Sequence, residues 1–316
     1  MIAIYYKSGT NILKSVDKED LGTIPTSDIV WIDLNFPRQD EQQLVEEIMH
    51  VNLHNRQQAE EIEISSKYIE LENAIIINSS FLVESDAYLK NETVTFILKD
   101  NWLITYRNAD LKAFKDTVKK FKANMQSYYN GFHFLVSLFE HKIDLNADLL
   151  EDLSKEITSI SKTISLGDNL DESLLLKINN YQERTMVLRE NIIDKQRIVS
   201  AMLRSEAYPT EVYNKLRILI KDISSILDHS SFNFERLEYI QNTFLGLVDL
   251  QQNKIIKIFT VVSVIFLPPT LIASVYGMNF HKMPELDWEM GYPFAIFLMV
   301  LSSVTTLLVF RRKRWL

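Results

Sequence analysis

The tripeptide Gly277-Met278-Asn279 stands at the end of a long charge-free stretch, and it is where this chain has groups that could do chemistry. Asn279 offers an amide oxygen. Gly277 lets the backbone turn and present a carbonyl that a side chain would hinder. Upstream, Asn253, Ile256, Phe259, Ser263, Leu267, Thr270 and Ser274 recur at steps of three and four, which puts them on one side of a helix. That side is bulky and apolar at Ile256 and Phe259 and carries small hydroxyls at Ser263, Thr270 and Ser274. Neutral oxygens of this kind, repeated around a shared axis, grip the water shell of a cation. Two plainer readings stand beside this one. Small polar residues suit helix-helix contact in lipid equally well. Gly-Met-Asn also reads as a helix C-cap and turn in which Gly and Asn tolerate left-handed backbone.

The elements that must hold these residues are two apolar runs. No charged side chain occurs from Ile258 to Phe280 or from Tyr292 to Phe310. A bilayer core of ~30 Å needs about 20 such residues in a helix, so 258–280 and 292–310 are expected to span a membrane. The linker 281–291 joins them and a basic tail, 311–316, follows. Lys254 and Lys257 precede the first span, and Arg311, Arg312, Lys313 and Arg314 follow the second. That basic ring places both chain ends on the cytoplasmic side. The linker sets Glu285, Asp287 and Glu289 against Lys282, and their summed field would concentrate cations at the outer mouth. Trp288, Tyr292 and Trp315 suit interfacial anchors. Pro268-Pro269 removes two backbone donors and is expected to bend the first span. Ile256, Phe259 and Leu267 would form apolar constrictions that stay dry when narrow. Two spans cannot enclose a water-filled path, so several identical chains would have to surround one axis.

The chain has 316 residues, a net charge of -8 and no cysteine. The acidic balance argues against a nucleic-acid partner. The lack of cysteine excludes disulfides, thiol nucleophiles and cysteine metal sites. The N-terminus, MIAIYYKSG, has no basic segment leading into an apolar one, so no signal peptide is expected. Phosphate loops, H-E-x-x-H and nucleophile elbows are missing from the sequence, so neither an enzyme nor an organic cofactor is expected. His50 and His54 have metal-compatible spacing but no third ligand, and such a pair more simply shares a helix face.

Residues 1–128 read as a mixed α/β cytoplasmic domain. Met1–Tyr6, Ile29–Phe36, and segments within Ser66–Val83 and Thr93–Arg107 suit strands, with a hairpin turn at Lys99-Asp100-Asn101. Asp40–Leu53 and Asp110–Met125 suit helices, the latter turning Lys112, Lys115, Lys119, Lys120 and Lys122 to water. From 130 to 267 only Gly131, Gly167, Pro209 and Gly246 interrupt the chain. Long helices follow: one from His133 to Leu166, one from Asp171 to Ala207 capped by Asn169 or Asp168, and a third from Thr210. In the third, Val212, Leu216, Leu219, Ile223, Ile226, Leu237, Ile240, Phe244 and Leu247 keep a period near 3.5, interrupted by Ser230 and Asn233. Nothing stops that helix before Pro268, so it is expected to enter the first span unbroken. A bundle helix ending near Asp249 is the alternative. The expected division is 1–128, a long-helix stalk at 129–253, and a transmembrane region at 254–316.

Tyr276-Gly277-Met278-Asn279-Phe280, then Met283-Pro284-Glu285-Leu286, on a two-span C-terminus with a basic tail, resembles the CorA-type magnesium transporters. The detailed likeness covers roughly Asp222 to the C-terminus, and upstream it is one of layout. The resemblance implies an α+β membrane protein whose long helical stalk is continuous with the first of two C-terminal transmembrane helices, assembled as a funnel-shaped homopentamer in the inner or plasma membrane. It implies uptake of Mg²⁺, with Co²⁺ or Ni²⁺ as further cargo, through a filter at Gly277, Met278 and Asn279, with Asn253 and Thr270 facing the pore. Carboxylates are absent from both spans, which fits an ion that keeps several of its waters. Mg²⁺ is also implied as a regulatory ligand between cytoplasmic domains, held by Glu84 or Asp86 on one chain and Asp222 or Asp228 on its neighbour. Otherwise these are surface carboxylates. His281 stands where many relatives are acidic, which weakens the outer ring and adds pH sensitivity. Two other functions fit the same residues: a Zn²⁺ transporter on this scaffold, which the Met-Pro-Glu-Leu loop disfavours, and a membrane-tethered coiled-coil scaffold with no pore.

Overall fold

The structure is a computed structural model that describes residues 1–9, 11–53, 67–85, 88–166, 171–279, 283–285 and 287–313, and within them all side chains but those at 84, 85, 88 and 126. It divides into two compact units, Met1–Gln241 and Asn242–Leu316.

In the first unit, β1 (Ile2–Ser8), β2 (Asn11–Ser15), β3 (Ile29–Asn35), β4 (Tyr68–Leu71), β5 (Ala74–Ser85), β6 (Tyr88–Lys99) and β7 (Trp102–Arg107) form one seven-stranded sheet in the order β2-β1-β3-β7-β6-β5-β4. Every neighbouring pair is antiparallel except β3 and β7, which run parallel with Trp31 opposite Leu103 and Asn35 opposite Arg107. A strand covered on both faces reads as a continuous apolar run, and β3 is such a strand: Ile29, Val30, Trp31, Ile32 and Leu34 are all buried. Side chains alternate across a strand. Ala3, Tyr5 and Trp31 therefore join the core that contains the helical residues Phe114, Phe121, Phe134 and Phe139, while Ile2, Ile4, Ile32 and Leu34 meet Val45 and Met49 on the opposite face. Tyr5 stacks on Trp31 at 4.6 Å, and Phe134 closes on Trp31 at 4.9 Å.

α1 (Gln39–Met49) covers the second face. It stops short of Leu53 because His50 takes left-handed backbone with φ 51°. His50 therefore caps the helix, and no helical i,i+4 face joins it to His54, which lies outside the described residues. The β6–β7 hairpin turns at Asp100, φ 51°, with Lys99 paired to Trp102. α2 (Lys112–Ala123) buries Ala113, Phe114, Thr117 and Phe121 and leaves its five lysines exposed, as charge patterning suggested. Arg107 at the end of β7 grips Asp33 of β3 through Nε to Oδ1 at 3.1 Å and Nη2 to Oδ2 at 2.8 Å, donates to the Ala109 carbonyl, and lies over the Phe114 ring.

α3 (Gly131–Leu166) and α4 (Glu172–Arg204) are long helices, as the scarcity of breakers required. Asp171 caps α4, its Oδ1 accepting from the Leu174 N–H at 3.1 Å. It takes the place expected for Asn169 or Asp168, which lie outside the described residues. α5 runs from Thr210 to Tyr276 without interruption and includes Pro268 and Pro269. In the first unit its stripe of Val212, Leu216, Leu219, Ile223, Leu237 and Ile240 is buried, and so are Ser230 and Asn233, each 0% exposed. These two polar residues open a layer of side-chain bonds: Asn233 Nδ2 to Ser154 Oγ at 2.6 Å, Arg236 to Thr158 at 3.1 Å and Arg189 to Ser231 at 2.6 Å. Ser230 Oγ and Asn233 Oδ1 have no partner among the described residues.

The second unit holds the C-terminal part of α5, the residues after it, and α6 (Gly291–Arg312). α5 ends at Tyr276, not at Phe280, so the first span closes before the Gly-Met-Asn tripeptide. Each proline lacks the N–H that would meet the carbonyl four residues back, which removes the helical partners of Val264 and Ile265. Thr270 returns its hydroxyl to the Phe266 carbonyl at 2.7 Å. Both helices contain eighteen-residue windows of mean hydropathy 2.2, of which only 6% and 11% is buried within the chain. A soluble core helix of that hydropathy would be covered by its own protein. These two are not, and lipid or further copies of the chain must shield them.

Candidate ion pathway and filter

The tripeptide follows directly from how α5 ends. The Gly277 N–H still reaches the Ala273 carbonyl at 2.9 Å and the Met278 N–H reaches Val275 at 3.3 Å. The helix therefore closes tightly and releases Asn279 just beyond its last turn. Left-handed backbone plays no part: the described residues with positive φ are Gly9, Phe36, His50 and Asp100. Glycine suits 277 for a different reason, since a Cβ there would lie a tight 3.1 Å from the Ala273 oxygen. The expected left-handed cap is thus replaced by a close approach. Asn279 is exposed, and its amide makes no hydrogen bond among the described residues, which leaves its oxygen free to accept.

The stripe Asn253, Ile256, Phe259, Ser263, Leu267, Thr270 and Ser274 is exposed at every position. Leu267 is 70% exposed and Phe259 69%. The covered positions of the same segment are Val261, Ile265, Pro268, Pro269, Ile272 and Tyr276, which also recur at helical spacing. From Val261 to Tyr276 this part of α5 therefore has one partly covered side, and Ser263, Leu267, Thr270 and Ser274 lie on the open side, while residues 251–260 are exposed all round. Because Thr270 spends its hydroxyl proton on the Phe266 carbonyl, its oxygen faces outward as an acceptor, the polarity a water-wrapped cation needs.

Beyond the spans, Glu285, Asp287 and Glu289 are exposed. The linker folds against the start of α6: the Gly291 N–H bonds the Trp288 carbonyl at 2.9 Å, and the Trp288 ring meets Phe294 at 5.7 Å. A Cβ on Gly291 would collide with the Glu285 carbonyl, which is why this position carries none. Lys254, Lys257, Arg311, Arg312 and Lys313 are exposed. Arg314, Trp315, Phe280, His281, Lys282 and Leu286 lie outside the described residues.

The carboxylates expected to hold a regulatory ion lie on different elements of one chain. Asp222 and Asp228 are exposed on α5, Glu84 lies near the end of β5 with its side chain outside the description, and Asp86 is outside it altogether. Among the described residues no three His, Cys, Asp or Glu side chains gather closely enough to hold a metal ion.

Sequence patterning missed a buried polar knot between β5, β6 and α4. Lys195 is 0% exposed, donates to the Ser80 carbonyl and neighbours Asp194, which pairs with Lys67 at 2.6 Å. Asn191 ties the same Ser80 carbonyl to Asn91. Burial pushes the Lys195 pKa down to about 8, partly offset by Asp194. Lys142 of α3 is buried as well, and desolvation with repulsion from Lys195 holds its pKa well below the ordinary lysine value. The one available signal was that each lysine sits on its helix's apolar stripe, Lys142 with Phe139 and Ile143, Lys195 with Leu188 and Ile192.

A mixed sheet carrying long helices, followed by two uncovered apolar helices around an exposed Gly-Met-Asn, defines a two-span membrane transport protein with a large soluble domain. Comparison with known proteins fixes the family: the chain belongs to the CorA-like Mg²⁺ transporter proteins, matching them over residues 26–312. Members of that family are ion transporters, not enzymes. Similar curated proteins include the magnesium transport protein CorA of Wolinella succinogenes, 38% identical over 296 residues and 92% of each chain. The protein of that name from Escherichia coli strain K12 is 36% identical over 298 residues, 92% of this chain and 93% of the relative. Among solved structures, the complete CorA magnesium transporter from Methanocaldococcus jannaschii superposes with TM-score 0.82 at 20% identity, covering 100% of this chain and 99% of its own. The cytoplasmic domain of ZntB from Vibrio parahaemolyticus superposes with TM-score 0.59 at 15% identity, over 78% of this chain and 97% of its own. These two likenesses show a shared fold.

Proposed function

We propose that this chain assembles as a homopentamer around a common axis and lets Mg²⁺, with Co²⁺ and Ni²⁺ as lesser cargo, enter across the inner or plasma membrane down its electrochemical gradient. The observation that carries the reading is the pairing of an open stripe on the first span with an uncommitted Asn279 amide just past its end. Five copies would place Gly277, Met278 and Asn279 in a ring that holds the hydrated ion by neutral oxygens, above a path lined by Asn253, Ile256, Phe259, Ser263, Leu267, Thr270 and Ser274. Mg²⁺ dehydrates reluctantly, so a site that binds its waters avoids the largest cost of entry. Inside-negative potential supplies the drive: at 2.3 kcal/mol per charge per 100 mV, a divalent cation gains about 4.6 kcal/mol at that voltage. The acidic linker would gather cations outside, and Lys254, Lys257 and the basic tail would fix both termini in the cytoplasm. Closure by internal Mg²⁺ would use Asp222 or Asp228 of one chain and Glu84 or Asp86 of its neighbour.

The test is ion uptake by proteoliposomes, with Mg²⁺ and Zn²⁺ in parallel and particle mass measured alongside. Asn279→Ala should abolish Mg²⁺ uptake and leave the mass of the assembly unchanged. Robust Zn²⁺ uptake without Mg²⁺ uptake would transfer the scaffold to the zinc reading. A monomeric particle in impermeable liposomes would leave only the scaffold without a pore.

A further inference from the structure

Between β5, the start of α2 and the middle of α3 lies a cavity of about 330 Å³ that plays no part in the ion path. Lys142 lines it, is 2% exposed, and has no hydrogen bond or ion pair among the described residues. Its charged group lies 5.4 Å from the centroid of the Phe81 ring, against which Lys195 also sits at 5.7 Å. A buried cation without a counter-charge is costly, and here a second buried cation adds to the cost. Another part of the wall is the N-terminus of α2, a helix of twelve residues with no side-chain cap. The N–H groups of Lys112 and Ala113, both in the cavity wall, have no partner among the described residues. Free amides at a helix start and an uncompensated ammonium are both complementary to an anion.

We propose that this cavity binds a small organic monocarboxylate, its carboxylate held by the Lys142 ammonium and the amides of Lys112 and Ala113, and its short apolar body lying against Leu145 and Leu149. The apolar share of the wall requires a body as well as a charge. The rim excludes more heavily charged anions. Asp110, Asp148 and Asp152 stand there exposed; Asp110 is paired with Lys115 at 2.6 Å and Asp152 with Lys155 at 3.1 Å, while Asp148 has no ion pair among the described residues. A phosphate dianion would meet this acidic edge on its way in, and a monoanion is repelled half as strongly.

Equilibrium binding of labelled 4-methyl-2-oxopentanoate and benzoate to the full-length protein in detergent tests the site, with inorganic phosphate as the competing probe and saturating Mg²⁺ throughout. Saturable binding of at least one carboxylate is expected, at least tenfold weaker in Lys142→Met and in Leu149→Trp, which fills the cavity from α3. Lys142→Met removes a buried charge that has no hydrogen bond or ion pair among the described residues, so it should fold and keep wild-type Mg²⁺ uptake. Absence of saturable carboxylate binding to the wild type, equal binding by the variants, or preferential binding of phosphate would each overturn the assignment.

Discussion

Replacing Lys195 by Met should remove a pH dependence that the wild-type soluble unit carries between pH 8 and 9.5. The ammonium is 0% exposed, and burial lowers its pKa from 10.5 to about 8. The unfolded chain therefore binds this proton more tightly than the folded one, and linkage makes stability rise with pH between the two values. With 10.5 unfolded and about 8 folded, holding the proton at pH 7 costs on the order of a few kcal/mol, a good part of which is recovered between pH 8 and 9.5. Above that window Tyr5 and Tyr208, both raised by burial, act in the opposite sense. Lys142 is lowered too, so some slope remains in the variant. The assay is thermal unfolding of the full-length protein followed by circular dichroism across that pH range. For a unit of this size each kcal/mol moves the midpoint by about 2–4 °C, so the wild type should gain several degrees and Lys195→Met distinctly fewer. A wild-type midpoint that falls, or a variant with an undiminished slope, refutes the assignment of a charged, desolvated lysine.

Arg107→Met alone should cost about 3–5 kcal/mol, because it leaves the Asp33 carboxylate buried without its partner; adding Asp33→Leu should recover most of that loss in the same unfolding assay. Ser230→Ala deletes a fully buried hydroxyl that has no partner among the described residues and should raise stability by about 1 kcal/mol, read from the unfolding midpoint. Gly291→Val drives a side chain into the Glu285 carbonyl, so the linker should become more susceptible to protease added outside sealed vesicles. Leu267→Ser replaces the proposed apolar constriction with a wettable one and should raise Mg²⁺ uptake several-fold at millimolar internal Mg²⁺.

The parts legible in the sequence were those set by local rules. α3, α4 and α5 follow from the near absence of Gly and Pro, and the spans from charge-free length. The position of Gly-Met-Asn next to a helix end followed from the glycine, though α5 closes at Tyr276 and Gly277 sits close to the Ala273 carbonyl without left-handed backbone. What depended on distant partners was not legible. β2 escaped notice because Asn11–Ser15 is an edge strand with only Ile12 buried, so its alternation is faint. The parallel pairing of β3 with β7 joins residues some seventy positions apart. His50 shortened α1 by adopting left-handed backbone, which is uncommon for any residue with a side chain. Lys142 and Lys195 look like ordinary surface charges until the sheet closes over them, and the cavity that Lys142 borders is made by three elements that meet only in the folded unit.

The Ser230–Asn233 layer has a mechanical corollary. A purely aliphatic seam repeats itself every heptad, so a helix lying on it can shift about 10 Å along its axis and meet an equivalent surface. Asn233 has its mate at Ser154, Arg236 at Thr158 and Ser231 at Arg189. Sliding by seven residues would part all three pairs at once. The layer therefore works as a detent: it gives up some thermal stability to hold α5 at a single height, and any stroke this helix makes must be much shorter than one heptad.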